Sequence, residues 1–193
     1  MRHFSRKFLF ITAIAVLSLS RVCLAGEVYF NAAGAESVAT TSCTTTNNTS
    51  SDTAGIGDHQ YVTRDCSGTA DQGFGWHFIY PTDAPTSGTP FTGYIYWMPS
   101  DTGTNNVVWK LELCCAGNAT NYHDLTCGTS VSSAGIAAPG TATTMKISNI
   151  GALAPSSMTA NSACFFRVTR PAVGDANDTY TSVSKVVAGR LNY

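Results

Sequence analysis

The chain has 193 residues, a formal net charge of −1, and only 12% charged residues against 44% hydrophobic ones. That length fits one domain with a sizeable core. The charge balance provides no basic surface, so nucleic acid and anionic lipid are excluded as expected partners.

The chain opens with Arg2, Arg6 and Lys7 ahead of an apolar run, Phe8–Ser20, and Cys23-Leu24-Ala25 sets small residues before a cleavage after Ala25. This three-part pattern predicts a secretory signal peptide over 1–25 and a single domain over 26–193. A lipid anchor on Cys23 is the rival reading, and Arg21-Val22 makes a poor lipobox. The run is short of the roughly 20 residues a membrane span needs, and no later segment approaches that length. Without the leader the chain keeps seven Lys and Arg against twelve Asp and Glu, a net of −5. The expected location is secreted, periplasmic or at the cell surface.

Glu27–Asn31 is the first strand-like stretch. It is either the first strand of its own sheet, the favoured reading, or an arm that adds to a neighbour's sheet edge. Ala32–Gly57 is rich in small and polar residues, and Thr44–Ser51 is almost wholly hydroxyl and amide, so the stretch reads as a surface loop pinned at Cys43. His59–Cys66 and Gly75–Tyr80 are predicted strands. In the second, Trp76, Phe78 and Tyr80 share one face, and His77 and Ile79 share the other. Pro81–Pro90 breaks any ladder. Phe91–Met98 is an aromatic strand, and the turn Pro99–Asn106 is expected to join it to Val107–Cys115 as an antiparallel hairpin.

In Val107–Cys115, Trp109, Leu111, Leu113 and Cys115 occupy one face, with Val108, Lys110, Glu112 and Cys114 on the other. Cys164, Phe166 and Val168 repeat the pattern within a strand Ala163–Arg170, so the two segments are expected to line one core. Between them lie a loop, Ala116–Gly128, a strand, Ala142–Ile150, with Met145, Ile147 and Asn149 on alternate positions, and a second loop, Pro155–Ser162. Pro171–Asp178 turns the chain into a last strand within Tyr180–Tyr193, where Val187, Gly189, Leu191 and Tyr193 alternate. Short strands between turn-rich loops predict an all-β fold, a disulfide-stapled antiparallel β-sandwich of jelly-roll-like type.

Six cysteines follow the leader: Cys43, Cys66, Cys114, Cys115, Cys127 and Cys164. An even number in an exported chain implies disulfides, and the lack of paired Cys-x-x-Cys spacings argues against zinc. Adjacent strand residues point to opposite faces, so Cys114 and Cys115 need different partners. The expected set is Cys115 with Cys164 across the core, Cys114 with Cys127, and Cys43 with Cys66; other pairings stay open on sequence alone.

Trp97, then Val107-x-Trp109-x-Leu111, Arg167-x-x-Arg170, Asp178-Thr179-Tyr180 and Gly189-x-Leu191-x-Tyr193 form a recognisable cadence. Over Phe91–Tyr193 the chain resembles jelly-roll-like β-sandwich modules of tailed-phage virion and appendage proteins and related secreted bacterial proteins. The resemblance implies a sandwich that assembles or adheres, and it brings no catalytic residues. The leader and the six cysteines depart from the phage pattern and favour an exported bacterial protein.

Candidate chemistry is sparse. His59, His77 and His123 lie near Asp58, Asp65 and Asp124, but neither a Gly-x-Ser-x-Gly elbow nor a His-Glu-x-x-His helix accompanies them. Glu112 is expected on a solvated sheet face, paired with Arg167 across strands. Asp175, Asn177 and Asp178 offer oxygens for calcium, but the same residues favour an Asx turn. No cofactor or metal is expected.

Tyr94 and Tyr96 alternate with Ile95 and Trp97, so one pair faces outward; Tyr94, Tyr96 and Trp97 are the candidates for contact with a ligand or another subunit. Glycosylation sequons begin at Asn47, Asn48, Asn118 and Asn177. The leading functional expectation is a structural or adhesive subunit of an extracellular assembly, with self-association or a surface glycan as the partner. A carbohydrate-binding module with an exposed aromatic strip is the alternative, and a hydrolase ranks last.

Overall fold

The computed structural model describes residues 26–38, 41–50, 59–116, 125–157 and 159–193. The proposed leader, His123, Asp58, Asp124 and the sequon at Asn118 lie outside the described residues. In chain order the strands are β1 (Glu27–Asn31), β2 (Glu36–Ser37), β3 (Thr44–Ser50), β4 (His59–Cys66), β5 (Asp71–Ile79), β6 (Phe91–Pro99), β7 (Asn106–Val107) and β8 (Lys110–Cys115). They continue as β9 (Thr126–Cys127), β10 (Val131–Ser132), β11 (Ile136–Ala137), β12 (Lys146–Leu153), β13 (Ala163–Pro171) and β14 (Ser184–Asn192), and a 3-10 turn spans Ala32–Gly34.

Two six-stranded sheets result. Sheet A runs β12-β6-β14-β4-β3, with β1 also on β14, and sheet B runs β10-β8-β13-β5-β2, with β9 on β8. All the strand pairs are antiparallel. From β4 to β5, β6, β8, β12, β13 and β14, each long strand lies in the sheet opposite its predecessor. That alternation gives the jelly-roll-like sandwich its character, and it overturns the expected hairpin. β6 and β8 lie in opposite sheets, since each buries an apolar face and the two faces cover one another.

The core shows this directly. Trp97 of sheet A and Trp109, just before β8, meet edge to face with centroids 6.0 Å apart. A Cβ at Gly93 would collide with Leu111, and one at Gly189 would collide with Trp76, so these glycines admit side chains from the opposite sheet. Trp109, Leu111, Leu113 and Cys115 all belong to this core, as the alternation predicts. Val108, Glu112 and Cys114 on the other face are buried as well, so the strand is covered on both sides rather than amphipathic. It is also interrupted. The N–H of Val108 donates to Asp178 Oδ2 at 3.0 Å and that of Trp109 to Ser133 Oγ at 3.0 Å, side chains replacing ladder partners between β7 and β8.

The three disulfides join Cys43 to Cys66, Cys114 to Cys127 and Cys115 to Cys164. The pairing matches expectation, with one difference in geometry. Cys115 and Cys164 are registered neighbours on β8 and β13 within sheet B, their Cα atoms 4.1 Å apart, and do not bridge the two sheets.

Thr44–Ser50, expected as loop, is a strand paired along its whole length with β4. Its threonines are β-branched and suit extended backbone, although no apolar alternation announces them. β12 begins four residues later than expected. Met145 and Ile147 are exposed, whereas Ile150, within a bulge between Asn149 and Gly151, and Leu153 beyond it enter the core. A second bulge, between Val186 and Ala188, shifts the phase of β14, so Val186, Gly189 and Leu191 face inward.

Candidate functional site

Four strands of sheet A bring a single row of side chains together. Register pairs Tyr29 of β1 with Arg190 of β14, Arg190 with Tyr94 of β6, and Tyr94 with Asn149 of β12. The adjacent row holds Ala188, Tyr96 and Ile147. Residues between these, such as Phe30, Ile95 and Gly189, point into the core, so alternation sends the tyrosines and Arg190 outward.

Arg190 is the centre of the patch. Its guanidinium carbon lies 4.3 Å above the Tyr94 ring and 5.8 Å from the centroids of both Tyr29 and Tyr96. Its Nη1 approaches Glu27 Oε1 at 3.4 Å, and the Tyr29 hydroxyl donates to the same carboxylate. The hydrogen bond with Tyr29 raises the guanidinium pKa and burial opposes this, so the group stays cationic. Such stacking on ring faces stabilises by roughly 0.5–1 kcal/mol at exposed sites. In these two rows Tyr29 is 61% and Ile147 57% exposed.

The aromatic candidates separate cleanly. Tyr94 and Tyr96 stand half-buried on this outer face. Trp97 is 0% exposed, its Nε1 donating to Ser148 Oγ at 2.9 Å, so it is a core residue and cannot be a surface contact. β1 pairs with β14 of its own chain over all five residues, the ordinary first strand that was favoured over a free arm.

Other candidates are used structurally. His77 Nε2 lies 3.0 Å from Glu36 Oε2 on an exposed surface. Glu112 is buried rather than solvated, and pairs with Arg167 directly across the strands and with Lys110 at 3.6 Å. Asp175 Oδ1 accepts from the N–H and the side-chain amide of Asn177, at 2.9 and 3.0 Å, which is the Asx turn. Asp178 is taken by Arg170, whose Nη2 and Nε donate to its two oxygens at 2.8 and 3.0 Å.

Sequence reasoning missed two features, Arg190 with Glu27 and Tyr29, and the buried Arg170 hub. Arg170 also donates to the carbonyls of Cys66 at 3.1 Å, Ser182 at 2.8 Å and Tyr180, and sits 5.5 Å from the Tyr180 ring centroid. Nearby, hydrogen bonds from the Ser182 hydroxyl, the Gly103 N–H and the Tyr180 hydroxyl hold the Asp101 carboxyl below its ordinary range. Burial raises the Tyr180 phenol. The Arg167-x-x-Arg170 and Asp178-Thr179-Tyr180 spacings were the available signal for the hub.

A shallow depression beside β5 is lined by Val38, Thr41, Asp71, Gln72, Gly73, Arg167 and Thr169. Its charged groups are already engaged, Asp71 by the N–H groups of Val173 and Gly174, and Arg167 by Glu112.

No protein-family model and no curated protein matches this sequence. Among solved structures the chain is similar to an arabinose-bound GH51 α-L-arabinofuranosidase, at 12% identity and a TM-score of 0.41, over 86% of this chain and 25% of that one. It is also similar to a chain of the infectious bursal disease virus Gx strain structure, at 13% identity and a TM-score of 0.34, over 88% of this chain and 32% of that one. The chain thus spans about a quarter to a third of each. Similarity this distant transfers no activity, and the sandwich rests on the strand pairing itself. Three disulfides fit an oxidising extracellular or periplasmic setting. Among the described residues no helix is long and apolar enough to cross a membrane.

Proposed function

We propose that the chain is exported through its N-terminal leader and that its β-sandwich serves as a structural or adhesive subunit of a surface or extracellular assembly. The observation that carries this reading is the outer face of sheet A, where Tyr29 and Ile147 stand exposed beside the Arg190–tyrosine cluster. Exposed apolar and aromatic side chains on one sheet face are the kind of surface that contacts a partner. The covalent framework behind it suits a protein that stays folded outside the cell. Carbohydrate binding draws on the same tyrosines. It ranks second because Arg190 covers the face of Tyr94 on which a sugar ring would stack.

Size-exclusion chromatography with light scattering, on chain 26–193 from an oxidising host, tests the proposal. Concentration-dependent self-association, weakened in a folded Tyr29→Ser/Ile147→Ser variant, is the expected result. A monomer at every concentration that is retained on glycan columns transfers the case to carbohydrate binding. A monomer with no glycan retention sinks both.

A further inference from the structure

The exposed edges of the two sheets are not alike. In sheet B the outer strands β2, β9 and β10 have two residues each, and β2 carries Glu36. In sheet A, β12 begins with Lys146 and is broken by its bulge at Asn149 and Gly151, where Gly151 has φ 136°. β1 is short and carries Glu27. Short strands, charges and bulges are the devices by which proteins keep a sheet edge from pairing with another chain. β3 has none of them. It is seven residues long, Thr-Thr-Thr-Asn-Asn-Thr-Ser, without charge, proline or glycine. Its register against β4 runs unbroken from Thr44 opposite Asp65 to Ser50 opposite His59, and among the described residues no strand lies on its other side.

The edge is also held ready. Among the described residues only Arg64–Cys66 of β4 pair with β14, and the rest of β4 pairs with β3 alone, as a two-stranded ribbon. The Cys43–Cys66 disulfide closes the base of that ribbon. Asn48 Nδ2 donates to Thr63 Oγ1 at 2.9 Å and to the Thr46 carbonyl at 3.2 Å, bracing it further. A strand already extended loses little further entropy on pairing.

We infer that β3 is a self-association edge: β3 of one copy pairs antiparallel with β3 of a second copy about a two-fold axis at Asn47, which joins their A sheets. This rests on the subunit reading above and names the contact between copies. Full overlap of the two strands sets Asn47 opposite itself, Thr46 opposite Asn48, Thr45 opposite Thr49 and Thr44 opposite Ser50. Every cross-strand pair is hydroxyl or amide, and pairs of this kind are favourable where like charges are not. Two copies with a net charge of −5 each repel overall. The strand itself carries no charge, so no like charges stand directly opposite within the paired strands, while Lys185 Nζ of the same copy reaches Asn48 Oδ1 at 3.4 Å. A two-fold contact here, separate from the outer face, also provides the second contact that an extended assembly needs. Seven paired residues form a small interface, so the association is weak and concentration-dependent.

Sedimentation analysis over a wide concentration range tests this. The sample is chain 26–193 from an oxidising host that does not glycosylate, because sequons begin at Asn47 and Asn48. Asn47→Lys and Asn47→Asp each place like charges on the axis, and each is expected to raise the dissociation constant about tenfold or more. Mixed one to one, the two variants are expected to restore association, since opposite charges then face each other. Asn47 is exposed, so circular dichroism should show both variants folded. Association that neither charge weakens, or that the mixture does not restore, overturns the β3 contact and leaves the subunit reading standing on the outer face. A wild-type chain that is monomeric throughout overturns both.

Discussion

The middle of sheet B and the β3–β4 ribbon are both antiparallel and both touch a disulfide, yet different forces hold them. β8 is buried on both faces, and β13 beside it contributes Cys164, Phe166, Val168 and Arg170 to the fully covered interior. Thr44–Thr49 of β3 contribute no buried side chain; the strand's shape comes from backbone pairing, β-branched threonines and the Cys43–Cys66 staple at its base. Burial therefore sets the stability of the first region, and chain constraint that of the second. Substitutions should behave accordingly.

Arg170 stands where the two meet, since it pairs with Asp178 and also holds the carbonyl of Cys66 at the ribbon's base. Arg170→Met leaves the Asp178 carboxylate buried and unpaired, which should cost about 3–5 kcal/mol in urea unfolding with disulfides intact. Adding Asp178→Leu should recover only part of that loss, because it removes the buried charge but also takes the acceptor from the Val108 N–H. If the single substitution proves mild, the hub does not couple the regions. Trp109→Ala should cost a similar 3–5 kcal/mol or so through the cavity it opens. Thr45→Ala, on the exposed ribbon, should stay within about half a kcal/mol. Equal midpoint shifts for Trp109→Ala and Thr45→Ala would erase the contrast drawn here.

The staple comes next in size. Replacing Cys43 and Cys66 together by alanine frees a sequence separation of 23 residues and should cost about 3 kcal/mol. Amide exchange should quicken in β3 and β4 and stay unchanged in β8. Uniform loss of protection would show that the ribbon is part of one cooperative unit. For the intact chain from residue 26, thiol titration in denaturant without reductant should find no free thiol.

The smallest effects concern pH. Hydrogen bonds lower the folded pKa of Asp101 below its ordinary 3.8, so its contribution is present above that value and lost as pH falls through the depressed one. Burial raises the phenols of Tyr80 and Tyr180 above their ordinary 10.0. Their contribution is present below 10.0 and lost as pH rises through the raised values. Thermal melts should show Asp101→Asn flattening the acid limb alone. An unchanged acid limb would remove Asp101 from the account.

Much of the fold was legible where apolar residues alternate. Glu27–Asn31, His59–Cys66 and the inward face of Trp76, Phe78 and Tyr80 emerged as expected. So did the pairing of Cys114 and Cys115 with different partners, because neighbours on a strand point to opposite faces. The candidate site was half legible. Alternation grouped Tyr94 with Tyr96 but could not say which pair faced outward, and Trp97 went inside. Arg190, Glu27 and Tyr29 lie far apart in sequence and meet only through the pairing of β1 with β14.

The sequence by itself determined the all-β class, the even set of cysteines with its oxidising chemistry, and which residues of each apolar strand share a face. Only the tertiary structure decided which strands are neighbours: that β6 and β8 face each other across the core, that β8 is covered twice, and that Thr44–Ser50 is an edge strand. The physical reason is that a period of two records which way a side chain points, which is a local property of the backbone. What lies beside a strand or across from it depends on hydrogen bonds and packing between segments distant in sequence. A strand built from threonine and asparagine carries no apolar period to mark it.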